Sequence, residues 1–134
     1  MKYRAGYKYQ LAESYSVFVP IIAPAPISIE YIRLDHLGFL FIREGYAWDG
    51  PSGPAIDTKN FMRASLIHDA LYQLMREKHL DEVTWRETAD NILYQICRED
   101  GMSWFRAWYV LRGVRWFGGP SADPSHEKSI LNAP

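Results

Sequence analysis

The chain has 134 residues, the length of one domain, which leaves no room for separate cofactor and substrate lobes. Apolar residues make up 48% and charged residues 23%, a globular composition that excludes a disordered chain, and a net charge of −1 argues against a bulk electrostatic hold on nucleic acid. Aromatic residues reach 15%, with five Trp, nine Tyr and six Phe, so either the core is built from large rings or some of them form a contact surface.

The first residues, Met1-Lys2-Tyr3-Arg4, lead into mixed polar sequence rather than the apolar run of a signal peptide. Residues 1–48 read as β structure. Tyr3, Tyr7, Tyr9 and Leu11 form a loose alternation. The longest apolar stretch, Val17 to Ile29, contains Pro20, Pro24 and Pro26; it is too short to span a bilayer and reads as a stiffened loop between strands. Ser28 to Leu34 and Phe39 to Arg43 are rich in strand formers, and Asp35-His36-Leu37-Gly38 between them predicts a hairpin.

Residues 49–58 form a Gly/Pro loop, since Gly50, Pro51, Gly53 and Pro54 forbid regular structure there. Residues 59–117 predict three helices. The first runs from about Asn60 to Glu77, capped by Asp57 or Thr58, with Ala64, Ile67, Leu71, Leu74 and Met75 at helical spacing. The second runs from about Glu82 to Glu99, with an inner stripe of Trp85, Ala89, Ile92 and Ile96. The third starts after Ser103, an N-cap residue, and ends near Trp116, before Gly118-Gly119-Pro120. The expected architecture is α+β: a single domain over residues 1–120, with a flexible polar tail at 121–134. Cys97 is the lone cysteine, so no intrachain disulfide supports the fold; in its helical pattern it reads as packing.

The residues that carry chemistry lie on the first two helices. His68 shares a face with Ala64, Leu71 and Met75 and points toward the core. Asp90 lies near the inner edge of the second helix. A short connection makes these helices antiparallel neighbours, so His68 and Asp90 can meet. A carboxylate that fixes the tautomer of a half-buried His and stabilises its imidazolium makes that His a general base for water. Tyr72 and Tyr94, each four residues after one member of the pair, are placed to bond the carboxylate from their hydroxyls. Arg86 stands four residues before Asp90, where it can form an ordinary helix-surface bridge. Asp69 faces another direction, toward the Gly/Pro loop. Carbonyl oxygens of that loop together with the Asp69 carboxylate suit Ca²⁺.

Two resemblances follow from these residues. Gly45-Tyr46-Ala47-Trp48-Asp49-Gly50-Pro51-Ser52-Gly53-Pro54, then Ala64 to Tyr72, then Ala89-Asp90, resembles a family of small phage and prophage proteins of unknown function, over residues 28–118. This implies a phage or prophage origin and assigns no activity. The same three motifs resemble the active site of phospholipase A2, above all the form in parvovirus minor capsid proteins. That family pairs a Tyr-x-Gly-x-Gly calcium loop with a His-Asp-x-x-Tyr helix and a supporting Asp. The loop would be Tyr46 to Gly53, the dyad His68-Asp69 with Tyr72, and the support Asp90, 22 positions after His68. The two loop glycines here stand three apart with Pro51 between them, and the β-rich first third has no counterpart in the viral enzymes.

The resemblance implies a calcium-dependent esterase acting on phospholipid or another acyl ester. His68 and Asp90 are its catalytic pair; Tyr72, Tyr94 and Arg86 support them; Asp69, Asp49, Gly50 and Gly53 are the metal set. Trp104, Trp108 and Trp116 with Arg112 and Arg115 would suit an anionic lipid interface. The other reading is a non-catalytic virion or assembly protein, contacting other virion proteins, in which His68 and Asp90 form a structural cluster. Either way the expected setting is the host cytoplasm, with incorporation into a virion an open alternative. A metal phosphohydrolase ranks last, because His36, His79 and His126 sit in no helical metal motif.

Overall fold

The computed structural model describes residues 3–4, 9–48 and 59–117. The fold is α+β: among the described residues seven short strands, all paired antiparallel, precede three helices. Within it the chain forms two compact units, one holding the strands up to residue 49 and the other holding the helices. The expected tail at 121–134 lies outside the described residues.

The strands form two sheets. The first is ordered β1 (Tyr3–Arg4), β2 (Tyr9–Leu11) and β7 (Ala47–Trp48); the second is β3 (Tyr15–Phe18), β6 (Phe39–Ile42), β5 (Ile32–Leu34) and β4 (Ile27–Ser28). The β5–β6 hairpin is as expected. Its register pairs Ile32 with Ile42 and Leu34 with Leu40, so four fully buried aliphatic side chains share one face. On the opposite face the Arg33 guanidinium lies 5.6 Å over the Phe41 ring. The turn is built by Asp35, whose Oδ1 accepts from Leu37 N at 2.8 Å and Phe39 N at 2.9 Å. Those backbone bonds, that of Phe39 foremost, hold the Asp35 carboxyl below its ordinary range. Gly38 in this turn has φ +94°, and a Cβ there would stand 2.3 Å from Val19 O, so only glycine fits.

Two details depart from the expected β layout. The continuous strand from Ser28 to Leu34 is instead a tight β4–β5 hairpin, with Ile27 opposite Leu34 and Ile29 N bonded to Ile32 O. The apolar loop starts later than Val17, because Val17 and Phe18 complete β3 against Leu40 and Phe39.

In the helical unit, α1 spans Lys59–Arg76, α2 Glu82–Glu99 and α3 Trp104–Phe117. The side chain of Arg63 near the start of α1 meets Glu99 and Asp100 at the end of α2, each at 2.9 Å, so the two helices run antiparallel. Both α1 and α2 end in a Schellman motif. After α1, Lys78 N bonds Met75 O and His79 N bonds Leu74 O; after α2, Gly101 N bonds Arg98 O and Met102 N bonds Cys97 O. Asp81 caps α2, accepting from Thr84 N at 3.1 Å and from the Thr84 hydroxyl. Ser103 caps α3, its Oγ accepting from Arg106 N at 3.3 Å. The caps expected for α1, Asp57 and Thr58, lie outside the described residues.

Candidate functional site

α1 is buried on nearly all sides: Phe61, Met62, Leu66, Ile67, Leu71, Leu74 and Met75 all lie in the core. His68 therefore projects from a desolvated helix. On α2 the buried set is Ala89, Asp90, Ile92, Leu93, Ile96 and Cys97, which places Asp90 within the apolar stripe. Trp85, expected in that stripe, is partly exposed.

The antiparallel packing brings the pair together. His68 Nε2 lies 2.7 Å from Asp90 Oδ1, and the Tyr72 hydroxyl donates to that same oxygen at 2.6 Å. His68 and Tyr72, one helical turn apart, also stack with ring centroids 4.1 Å apart. Asp90 is 0% exposed and His68 7%. An ionised Asp90 accepts from both donors, which puts the imidazole proton on Nε2 and leaves Nδ1 as the basic nitrogen. Asp90 Oδ2 is buried with no hydrogen-bond partner among the described residues.

The cluster changes the chemistry of Tyr72. Burial first, then the bond to Asp90 and its negative charge, push the phenol well above its ordinary range, while the positive charges of Arg86 and Arg115 work against the shift. Arg86 forms no ion pair with Asp90, because Asp90 is turned fully into the core while Arg86 is partly exposed. Tyr94 also forms no hydrogen bond with Asp90. At i+4 on the same helix a phenol overshoots the short carboxylate side chain, whereas Tyr72 reaches it from the neighbouring helix.

Of the expected calcium set only Asp69 is described; it is partly exposed, on a different face of α1 from His68. Asp49, Gly50 and Gly53 lie outside the described residues. Among the described residues no group of three or more His, Cys, Asp or Glu side chains is placed to hold a metal ion. No described helix is long and apolar enough to cross a membrane.

On α3, Trp104 and Trp108 are exposed at 62% and 45% although they share the apolar spacing of buried Ala107. Arg112 lies over the Trp108 ring at 5.5 Å, and Arg115 reaches back to Glu87 of α2 at 3.2 Å. The Trp116 side chain lies outside the described residues. Phe105 and Tyr109, not singled out by motif or periodicity, are exposed at 59% and 60% beside them. The signal that would have found them is aromatic doublets at i, i+1, i+4 and i+5, a spacing that sets four rings on one side of a helix.

A family described as proteins of unknown function, DUF1353, matches residues 28–114, and the chain belongs to that family. No curated protein and no solved structure matches it significantly.

Proposed function

We propose that this member of the DUF1353 family is a phage-encoded, calcium-dependent acyl-ester hydrolase of phospholipase A2 type, with His68 as general base and Asp90 as the residue that orients it. The observation that carries the reading is the shared oxygen: His68 Nε2 and the Tyr72 hydroxyl converge on Asp90 Oδ1 at 2.7 and 2.6 Å. The tautomer set by that contact makes Nδ1 the base. In the reaction His68 Nδ1 takes a proton from water, and the hydroxide oxygen adds to the acyl carbonyl. The acyl C–O bond then breaks as His68 returns the proton to the departing alkoxide. Asp90 stabilises the imidazolium between these steps, and Tyr72 keeps the carboxylate aligned. Calcium held by Asp69 with Asp49, Gly50 and Gly53 would polarise the carbonyl and stabilise the oxyanion. The phage or prophage setting, in a host cytoplasm or a virion, rests on the loop and His-Asp-x-x-Tyr motifs.

Purified protein should release fatty acid from fluorescent phospholipid with calcium and lose that activity with a chelator. His68→Ala should lower turnover by about 10²–10⁴-fold while the circular dichroism spectrum is unchanged. No turnover across several phospholipids and simpler acyl esters overturns the proposal. A second reading, a non-catalytic virion or assembly role, is favoured by the burial of His68, 7% exposed, and stands if turnover is absent.

A further inference from the structure

The outward surface of α3 inverts the usual pattern of a surface helix. At about 100° per residue, Trp104, Phe105, Trp108, Tyr109 and Arg112 fall within one arc of about 140°, and all five are exposed. The buried position, Ala107, lies on the other side with the partly exposed Val110 and Val114. The rings form a continuous row: Trp104 meets Phe105 edge-on at 5.9 Å, and Phe105 lies 6.3 Å from Trp108. Arg112 continues it by stacking over Trp108 and forms no ion pair among the described residues. The row is about 12 Å long.

Charge gives the face its direction. α3 holds three arginines and no acidic residue, in a chain whose net charge is −1. Arg115 is engaged by Glu87 and Arg106 lies outside the arc, so Arg112 is the cation that belongs to the row. A row of aromatic side chains ending in a cation complements an apolar layer beneath an anionic surface, with the indole and phenol polar atoms at the boundary.

We propose that this face of α3 docks on the surface of an anionic phospholipid bilayer, with the four aromatic rings in the headgroup–acyl boundary and Arg112 on lipid phosphate. The inference rests on the hydrolase reading only for lipid as the substrate class. Binding is measurable without turnover.

The test is sedimentation of the full chain with vesicles of phosphatidylcholine alone and with about one-third phosphatidylglycerol. The protein should bind the anionic vesicles with a blue shift in tryptophan emission, and release at raised salt. Trp104→Ser combined with Trp108→Ser should lower partitioning by about tenfold or more, and Arg112→Glu by about tenfold on anionic vesicles. Should the double variant fail to fold, Phe105→Ser alone takes its place. No preference for anionic vesicles, or binding unchanged in these variants, overturns the proposal. So does self-association that disappears in the double variant while vesicles go unbound, because a second copy then covers the face. Vesicle binding without hydrolysis keeps the docking face and sinks the hydrolase. Hydrolysis of a dispersed short-chain ester without vesicle binding does the reverse.

Discussion

Asp90 is the residue on which the site turns. A carboxylate with no exposed surface survives ionised only if donors replace its water, and here two do, both on Oδ1. Each charge-assisted bond of this kind contributes about 1.5–3 kcal/mol, set against the desolvation of the carboxylate. Tyr72 gives the cluster a pH signature. Its folded pKa lies above the ordinary value of 10.0, so the folded state holds this proton more tightly than the unfolded chain. The contribution is complete below about pH 10 and is lost as pH rises further, because the unfolded chain then releases the proton first. Urea midpoints measured from pH 8 to 11 should fall more steeply above pH 10 in the wild type than in Tyr72→Phe. Equal slopes would mean that Tyr72 does not titrate as the cluster requires. The meeting of His68 with Asp90 was legible because helical spacing put both on inner faces. Tyr94 was not, because spacing along one helix does not show which side chain reaches across to the next.

At the scale of the element, the two Schellman motifs make a controlled comparison. Gly101 takes the left-handed position after α2 at φ 100°, where glycine is at ease, but Lys78 takes the same position after α1 at φ 66°. A side chain there costs about 1 kcal/mol, partly offset by the entropy glycine loses on folding. Lys78→Gly should therefore stabilise the protein by about 0.5–1 kcal/mol, read as a higher thermal midpoint. A lower midpoint would show that the exposed Lys78 contributes contacts that outweigh the backbone strain. Helix α2 was legible to the residue from the helical spacing of Ala89, Ile92 and Ile96, although Trp85, expected in the same stripe, is partly exposed. The strand expected from Ser28 to Leu34 was not. Ile29, Glu30 and Tyr31 do not mark a turn by composition, and only the pairing of Ile27 with Leu34 folds the segment back on itself.

Across the whole molecule, the large side chains divide between core and surface in a way that composition does not reveal. Leu71, fully buried on α1, and Phe105, 59% exposed on α3, are both large apolar residues in helices. Leu71→Ala should cost about 2–5 kcal/mol, whereas Phe105→Ser should shift stability by about 0.5 kcal/mol or less, both from urea denaturation. A large loss at Phe105 would place the ring inside the fold. The apolar core of the strand unit closes through Ile32, Leu34, Leu40 and Ile42, and that of the helical unit through α1. Cys97 belongs to that second core: burial, with the Asp100 charge, pushes its thiol up to about 12, as expected of a packing residue rather than a nucleophile.

The sequence by itself determined the α+β class, the order of strands before helices, the β5–β6 hairpin and the helix ends. These depend on periodicity, caps and turn residues, which act over a few positions. Only the tertiary structure decided three further features. Residues 47–48 pair with β2 across the strand unit, Tyr72 rather than Tyr94 is the second donor to Asp90, and the periodic tryptophans of α3 face outward. The physical reason is common to all three. Local rules state that a side chain lies on a given face of its element, while the partner that covers that face, or leaves it open, comes from residues distant in the chain.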